Sequence, residues 1–257
     1  MIKFLKYVKY GFWAACFIFL VATAATISVF NYQTTPTWQQ ISSPDNFATH
    51  YSDNYQKAVK KSRQSTVKVS SRSLSLWAGA STMTGTYFVA NEKYYVITVH
   101  HGIMGPCWLT SVIHRGEHYS CKKYTKVDAA NDYVIIELET PPKDRTPIRI
   151  PQDLPHGSQW KKSYSILNNI IYTGYPNVIG PLTLRGDVIG YSEDQYLYIF
   201  SHAYGGASGS GIFTKEGKYI GYIIAIDVGT TELGIDILEN IVIVAPAFNV
   251  DWSAATN

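Results

Sequence analysis

Residues 205–211 read Gly-Gly-Ala-Ser-Gly-Ser-Gly, so that four glycines surround two serines. Glycine loses more backbone freedom on folding than any other residue, and such a run therefore suits a sharp turn better than a packed strand or helix. A serine held in a sharp turn presents its hydroxyl, and the neighbouring backbone N–H groups can converge on one point. A nucleophilic serine and its oxyanion hole require this geometry. Ser208 is therefore a candidate nucleophile, and the alternative is a glycine-rich hairpin loop.

A nucleophilic serine needs a general base, which is most often histidine. The β-rich run of residues 94–99 ends upstream at two histidines, His100 and His101. Because adjacent residues of a strand point to opposite faces, only one of the two can face a cleft. A metal site built on the pair would need further ligands, and no cluster of His, Cys or Asp follows at a usual spacing.

The base in turn needs a carboxylate that orients it. Asp132 lies between the histidines and the serine and directly precedes the apolar run of residues 133–138. Asp128 lies four residues earlier, in a segment that favours a turn. Asp132 can therefore sit at a cleft and bond the far nitrogen of the histidine, and the alternative is a turn residue at the start of a strand.

Five short motifs, taken together, resemble those of the trypsin/chymotrypsin-like serine proteases, and the Htr-type and viral branches more than the digestive ones. The motifs, in chain order, are residues 85–89 (Gly-Thr-Tyr-Phe-Val), 98–101 (Thr-Val-His-His), 131–136 (Asn-Asp-Tyr-Val-Ile-Ile), 172–176 (Tyr-Thr-Gly-Tyr-Pro) and 206–209 (Gly-Ala-Ser-Gly). The resemblance covers roughly residues 63–250. It implies an all-β fold of two six-stranded antiparallel barrels and a serine endopeptidase that works through an acyl-enzyme, with no cofactor and no metal.

The resemblance also assigns roles to residues. The family places its histidine three residues after a threonine, which selects His101 as the base and leaves His100 in the core or at the rim. Asp132 then orients His101, and Ser208 is the nucleophile. The backbone N–H groups of Gly206 and Ser208 form the oxyanion hole.

The sequence gives partial information on substrate preference. In trypsin-like enzymes the residue six positions before the nucleophile lies at the base of the primary specificity pocket. Here it is His202 and not an aspartate, so a preference for Lys or Arg is not supported. Residues 221–226 should form a strand that walls the pocket, with Ile224 and Ile226 as substrate-binding candidates. A bulky Ile226 near the entrance predicts a small or shallow pocket.

The chain departs from the family in ways that keep other functions open. Ala207 and the pair Ser210-Gly211 are unusual in the nucleophile loop. A catalytically inactive relative that binds peptides or a partner is therefore the alternative, and a viral enzyme that processes proteins at a membrane is a further one. There is no activation terminus of the digestive type, and the chain ends at Asn257, too early for the PDZ domain that Htr-type proteases carry.

Composition agrees with an exported β protein. Hydrophobic residues make up 46% of the 257 residues and charged residues only 16%, and 20 tyrosines accompany many Val, Ile and Thr. These residue types favour strands. The net charge of +3 is small, and Lys3, Lys6 and Lys9 all precede residue 10. A nucleic-acid-binding surface, which needs clustered cations, is not indicated.

Residues 11–30 contain no charged side chain and follow these lysines, which predicts an N-terminal transmembrane helix with the rest of the chain outside the cytoplasm. The alternative is a signal peptide cleaved after residues 22–24, which would leave a secreted or periplasmic protein. The expected organisation is therefore an anchor or signal peptide over residues 1–30 and a stalk with a short helix over residues 31–62.

The protease-like domain follows over residues 63–250. Its predicted first barrel covers about residues 63–138, a proline-rich linker residues 139–157, and the second barrel residues 158–250. Cys107 and Cys121 flank a predicted hairpin and could form a disulfide in an exported domain or remain free thiols in a reducing one. His114 and His118 are expected at the surface of the same hairpin.

Overall fold

The computed structural model describes residues 10–22, 55–75, 79–151, 160–231 and 234–256, with the backbone alone for residues 163, 226–231 and 234–239. The chain divides into two units, Met1–Ser43 and Pro44–Asn257. In the first unit residues 10–22 form helix α1. Among the described residues, none of the helices is long and apolar enough to cross a membrane. Residues 23–30 lie outside the described part, and the transmembrane helix over residues 11–30 stays a prediction.

The described part of the second unit contains twelve strands and three α-helices, joined by turns and short 3₁₀ segments. The strands are β1 (Thr66–Arg72), β2 (Ala80–Ala90), β3 (Lys93–Thr98), β4 (Thr110–His114), β5 (Glu117–Asp128), β6 (Tyr133–Leu138), β7 (Asn169–Gly174), β8 (Leu182–Tyr191), β9 (Leu197–Phe200), β10 (Gly211–Thr214), β11 (Tyr219–Thr231) and β12 (Gly234–Pro246). The helices are α2 (Gln56–Ser65), α3 (Trp160–Ser163) and α4 (Ser253–Thr256).

These strands close into two barrels in which neighbouring strands are antiparallel. The order is β1-β2-β3-β6-β5-β4 in the first barrel and β10-β11-β12-β9-β8-β7 in the second. Closure leaves neither sheet with a free edge strand. Each barrel has a buried apolar cluster, and the first cluster also includes Phe213, Tyr219 and Tyr222 of the second barrel, so that the barrels pack on one another. The predicted pair of six-stranded antiparallel barrels is confirmed.

Several boundaries differ from those that the sequence suggests. Gly186 does not break β8 as a turn would, because it lies inside the strand, where a Cβ atom would come within 2.6 Å of the carbonyl oxygen of Phe200 on β9. Trp108 lies in a 3₁₀ segment, Cys107–Leu109. Helix α2 begins at Gln56, has Tyr55 at the N-cap position and lacks a side-chain cap.

Helix α2 precedes the first barrel in sequence but bonds to the second. Ser62 Oγ donates to Thr173 Oγ1 on β7 at 2.8 Å, and Arg63 Nη1 donates to Thr183 Oγ1 on β8 at 3.0 Å. From the linker, Arg145 Nη1 donates to the carbonyl of Arg63 at 2.6 Å. These bonds tie the second barrel and the linker to one helix, which runs directly into β1 of the first barrel.

A disulfide joins Cys107 to Cys121. It connects the 3₁₀ segment before β4 to the middle of β5 and closes a loop across 14 positions. A closed loop of about 15 residues stabilises a fold by roughly 3 kcal/mol. The disulfide therefore fastens the end of the segment between His101 and β4 to strand β5.

His114 is buried and not at the surface as the sequence suggested. Only 3% of its surface is exposed, because its side chain points into the first barrel from β4. His118, on β5, is exposed as expected. The alternation of the two strands of the hairpin decides this difference, which charge or residue type alone does not reveal.

Stability should fall in mild acid because of His114. Burial, with the charges of Arg145 and Arg115, lowers the pKa of His114 from its ordinary 6.5 to about 4. Above pH 6.5 the histidine is neutral in both folded and unfolded chains, and below it the unfolded chain binds the proton first. When the pH is lowered from 7 to 5, the free energy of unfolding should therefore fall by about 2 kcal/mol because of His114. Urea unfolding at both pH values measures this fall.

In His114→Gln the same pH change should cost about 2 kcal/mol less. In His118→Gln the reduction should be smaller, because burial and the charges of Arg72 and Lys68 lower the pKa of His118 in the same direction but leave its side chain more exposed. An unchanged pH dependence in His114→Gln would contradict the assignment.

Candidate active site

A cleft of about 400 Å³ lies between the barrels and is lined by residues from four segments of the chain. The residues that line it are His101, Asp132, Ala203, Tyr204, Gly205, Ala207, Ser208, Ile223, Ile224 and Ala225. The first two come from the first barrel and the others from the second. The candidate base, carboxylate and nucleophile therefore face the same space.

The chain leaves β3 after Thr98 and turns, which brings His101 to the cleft. Its side chain is 52% exposed, and its Nδ1 lies 2.6 Å from Oδ2 of Asp132. The backbone N–H of His101 also donates to Oδ1 of Asp132 at 2.8 Å. This pair of contacts holds the ring so that Nε2 is left for a proton acceptor role. His100 is not among the residues that line the cleft, and its backbone N–H donates to the carbonyl of Asp132 at 3.2 Å.

Asp132 adopts a left-handed backbone conformation, with φ 53°, in the turn between β5 and β6. Aspartate tolerates this region better than most residues, although it costs about 1–2 kcal/mol. The turn before it compensates, because the carboxylate of Asp128 accepts from the backbone N–H groups of Ala130 and Asn131, each at 3.0 Å. These bonds, led by that of Asn131, lower the pKa of Asp128. Asp128 therefore supports the turn and lies outside the cleft lining.

A tyrosine of the second barrel secures the same turn. The hydroxyl of Tyr222, on β11, donates to the carbonyl of Asn131 at 2.6 Å. Burial, with the neighbouring Tyr219 and Asp132, raises the pKa of Tyr222 far above its ordinary value. Its hydroxyl consequently stays protonated and remains a donor to the residue next to Asp132.

Neighbouring residues fix the direction of the backbone N–H of Gly206. Its φ of +96° suits glycine, and a Cβ atom would lie 2.5 Å from the carbonyl oxygen of Tyr175. The carbonyl of Gly205 accepts from the backbone N–H of Asn177 at 2.6 Å. In a trans peptide the N–H points opposite to the carbonyl, so the N–H of Gly206 points away from Asn177. No hydrogen bond within the described ranges uses this N–H.

The peptide before Ser208 is held in the same way. The carbonyl of Ala207 accepts from the backbone N–H of Ser210 at 3.0 Å, and the N–H of Ser208 points the other way. As far as the described residues go, this N–H also has no intramolecular acceptor, and the Ser208 hydroxyl forms no hydrogen bond with the imidazole of His101. Catalytic hydrogen bonds are often long without substrate and tighten when it binds.

The wall of the cleft is apolar. Strand β11 contributes Ile223, Ile224 and Ala225, and its register with β12 shifts between Ile223 and Ala225. A bulge of this kind re-aims side chains, and it explains why three consecutive residues reach one cleft where strict alternation would allow two. Ala203 and Ala207 complete the wall from the nucleophile loop.

The three residues predicted to bind substrate differ in whether they line the cleft. Ile224 lines the cleft as expected, whereas His202 is exposed and is absent from the lining. The His202 carbonyl instead accepts a hydrogen bond from the hydroxyl of Tyr172. The side chain of Ile226 lies outside what the structure describes. Over the described ranges, His, Cys, Asp and Glu form no group of three or more that could hold a metal ion.

Comparisons with known proteins define the fold. No family model matches the chain, and no curated protein matches it by sequence. Among solved structures, it shares the fold of HtrA-type serine proteases, with two six-stranded barrels.

Two such structures illustrate the likeness. One is the serine endoprotease from Yersinia pestis, with a TM-score of 0.58 and 19% identity over 80% of this chain and 68% of that one. The other is the HtrA-type protease AlgW with a tripeptide, with a TM-score of 0.57 and 15% identity over 78% of this chain and 63% of that one. This chain thus spans about two-thirds of each.

Sequence reasoning did not find every residue of the site. It named neither Ala203 nor Tyr204 as part of the cleft, and it attached no role of its own to Tyr222. The strand over residues 221–226 was predicted to wall the pocket, but the bulge that selects its members leaves no local signal. Tyr222 supports the Asp132 turn from 91 positions away, a contact that no nearby residue indicates.

Proposed function

We propose that this protein is a serine endopeptidase that cleaves peptide bonds through a Ser208 acyl-enzyme. The observation that carries the proposal is the double contact between His101 and Asp132 in the cleft that Ser208 also lines. A carboxylate that bonds Nδ1 of the imidazole keeps the proton there and leaves Nε2 free to act as a base. The shared fold with HtrA-type serine proteases supports the same reaction class.

In the proposed reaction the Ser208 hydroxyl oxygen attacks the scissile carbonyl carbon while Nε2 of His101 takes its proton. The Asp132 carboxylate stabilises the imidazolium that results. The negative charge that develops on the carbonyl oxygen is met by the N–H groups of Gly206 and Ser208. His101 then gives the proton to the leaving amine. Water repeats these steps on the acyl-enzyme, which releases the acid and restores Ser208.

The lining favours substrates with a small or medium apolar side chain before the scissile bond. Ala203, Ala207 and Ala225 are short, and the isoleucines Ile223 and Ile224 offer apolar contact without a countercharge for lysine or arginine. One extra or missing methylene in such a pocket changes binding by about 1–3 kcal/mol, so the preference should be graded.

Cleavage of quenched fluorescent peptides tests this proposal. A peptide with alanine or valine before the scissile bond should be hydrolysed at least about tenfold faster, in kcat/KM, than its lysine counterpart. A fluorophosphonate should abolish this cleavage in a time-dependent manner. Cleavage that resists the fluorophosphonate, or that favours lysine, would overturn the reaction class or the pocket assignment, respectively.

The non-enzymatic alternative is a module that binds peptides in this cleft. The lack of a Ser208–His101 hydrogen bond among the described residues is the observation that favours it. Such a module would bind the same peptides, but it would neither hydrolyse them nor react with the fluorophosphonate.

A further inference from the structure

Thr84, on β2 of the first barrel, meets the nucleophile loop of the second barrel at the barrel interface. Its side chain is fully buried, and its pairing with β3 has not yet begun, because that ladder starts at Thr86. Its backbone N–H is therefore available, and it donates to the carbonyl of Ser208 at 2.9 Å. The first barrel thus bonds directly to the candidate nucleophile.

The Thr84 hydroxyl bridges two further segments of the second barrel. Oγ1 donates to the carbonyl of Gly206 at 2.7 Å and accepts from the backbone N–H of Tyr175 at 3.0 Å. The carbonyl of Thr84 accepts from Oγ1 of Thr98 at 2.7 Å. All the main hydrogen-bonding groups of Thr84 are thereby used, in a buried place where such bonds are costly to lose.

The loop can approach Thr84 this closely only because of its glycines. A Cβ atom at Gly209 would overlap the carbonyl oxygen of Thr84, and one at Gly206 would lie 2.5 Å from the carbonyl oxygen of Tyr175. Thr84 thus donates hydrogen bonds to the carbonyls of Gly206 and Ser208. These carbonyls adjoin the two peptides whose N–H groups, those of Gly206 and Ser208, have no acceptor among the described residues. Fixing those carbonyls limits how far the peptides can rotate.

We infer that Thr84 is a positioning residue, whose hydroxyl locks the nucleophile loop in the conformation that aims the N–H groups of Gly206 and Ser208 at the cleft. The inference rests on the proposed function for its effect on rate, although the lock itself does not. Thr84 acts through the loop and does not line the cleft.

Thr86 provides a matched control on the same strand. It is also buried, and its Oγ1 has no hydrogen-bond partner among the described residues. Threonine to valine at either position removes a hydroxyl and keeps the shape. The change at Thr84 breaks one bond to the nucleophile loop, at Gly206, and one to Tyr175, whereas the change at Thr86 breaks none that the described residues show.

The experiment measures inactivation by a fluorophosphonate over a range of concentrations, which separates the limiting rate constant from the half-saturating concentration. Thr84→Val should lower the limiting rate constant about 10- to 100-fold and change the half-saturating concentration less than twofold, because a misaimed loop impairs the reaction more than binding. Thr86→Val should match the original protein within about threefold, and Thr84→Ser, which restores the hydroxyl, should recover most of the rate.

Equal rates for the two valine variants would overturn the inference, as would a loss confined to the half-saturating concentration. Where Thr84→Val fails to fold, the pair Thr84→Ala and Thr84→Ser carries the same comparison. Amide hydrogen exchange provides a readout that is independent of reactivity: exchange at Tyr175 and Ala207 should be at least about tenfold faster in Thr84→Val than in Thr86→Val. If the original protein does not react, the proposed function fails, and the exchange result alone then upholds or overturns the lock.

Discussion

Replacing Ser208 with alanine should lower peptide hydrolysis roughly 10⁴- to 10⁶-fold in kcat, because no other group can form the acyl-enzyme. The loss should appear in kcat while KM stays within a few-fold, since the Ser208 hydroxyl bonds to no described residue and its removal leaves the cleft wall intact. The fold should survive, because the bonds that hold the loop run through its backbone. Initial rates on quenched peptides and thermal unfolding measure both expectations.

Ser210 is the matched control for this change. It lies two residues further along the same loop, is fully buried, and its hydroxyl has no hydrogen-bond partner within the described residues. Ser210→Ala should therefore keep kcat within about threefold of the original and should still react with a fluorophosphonate. Residual hydrolysis in Ser208→Ala at the original rate would remove Ser208 from the mechanism, and loss of activity in both variants would point to the loop and not to the hydroxyl.

Replacing Asp132 with asparagine should lower kcat about 10⁴-fold with little change in the fold. An asparagine oxygen can still accept from the backbone N–H of His101, which Oδ1 of Asp132 does at 2.8 Å. Its amide group would then donate to Nδ1 of His101, and the imidazole proton would be forced onto Nε2. A protonated Nε2 has no lone pair with which to accept the proton of Ser208. Steady-state kinetics with circular dichroism of both proteins checks the prediction.

Asp128→Asn makes the same chemical change four residues earlier. Because an asparagine oxygen can keep accepting from the N–H groups of Ala130 and Asn131, the turn should persist and kcat should fall less than about tenfold. If the two asparagine variants lose activity equally, the effect of Asp132 would lie in the turn and not in the imidazole tautomer.

Local pattern and resemblance contributed differently to the predicted fold. Short β-rich runs separated by turn signals predicted an all-β sandwich or barrel. The pair of six-stranded barrels was predicted from the resemblance to trypsin-like proteases. Local pattern does not indicate β5, Glu117–Asp128, because its lysines and other exposed residues obscure the inner face. Nor does it indicate that β8 runs through Gly186, because a glycine required by the close approach of β9 resembles a turn residue.

The sequence by itself determined the residue types of the candidate site and their order along the chain. A glycine-rich loop, a histidine after a strand and an aspartate before another strand are local features, and each is visible in a few residues. The choice of His101 over His100 rested on the resemblance, because both histidines lie beyond the end of β3, and the structure brings His101 to Asp132.

Only the tertiary structure decided how the site is supported. The hydroxyl of Thr84 meets the carbonyl of Gly206 across 122 positions, and that of Tyr222 meets the carbonyl of Asn131 across 91. Neither residue belongs to a motif, since a hydroxyl that bonds a backbone carbonyl leaves no pattern near itself. Contacts of this kind exist only once the two barrels have closed and packed together. Every residue carries the same backbone carbonyl, so the sequence does not mark which carbonyl a distant hydroxyl will meet, and the tertiary fold alone decides it.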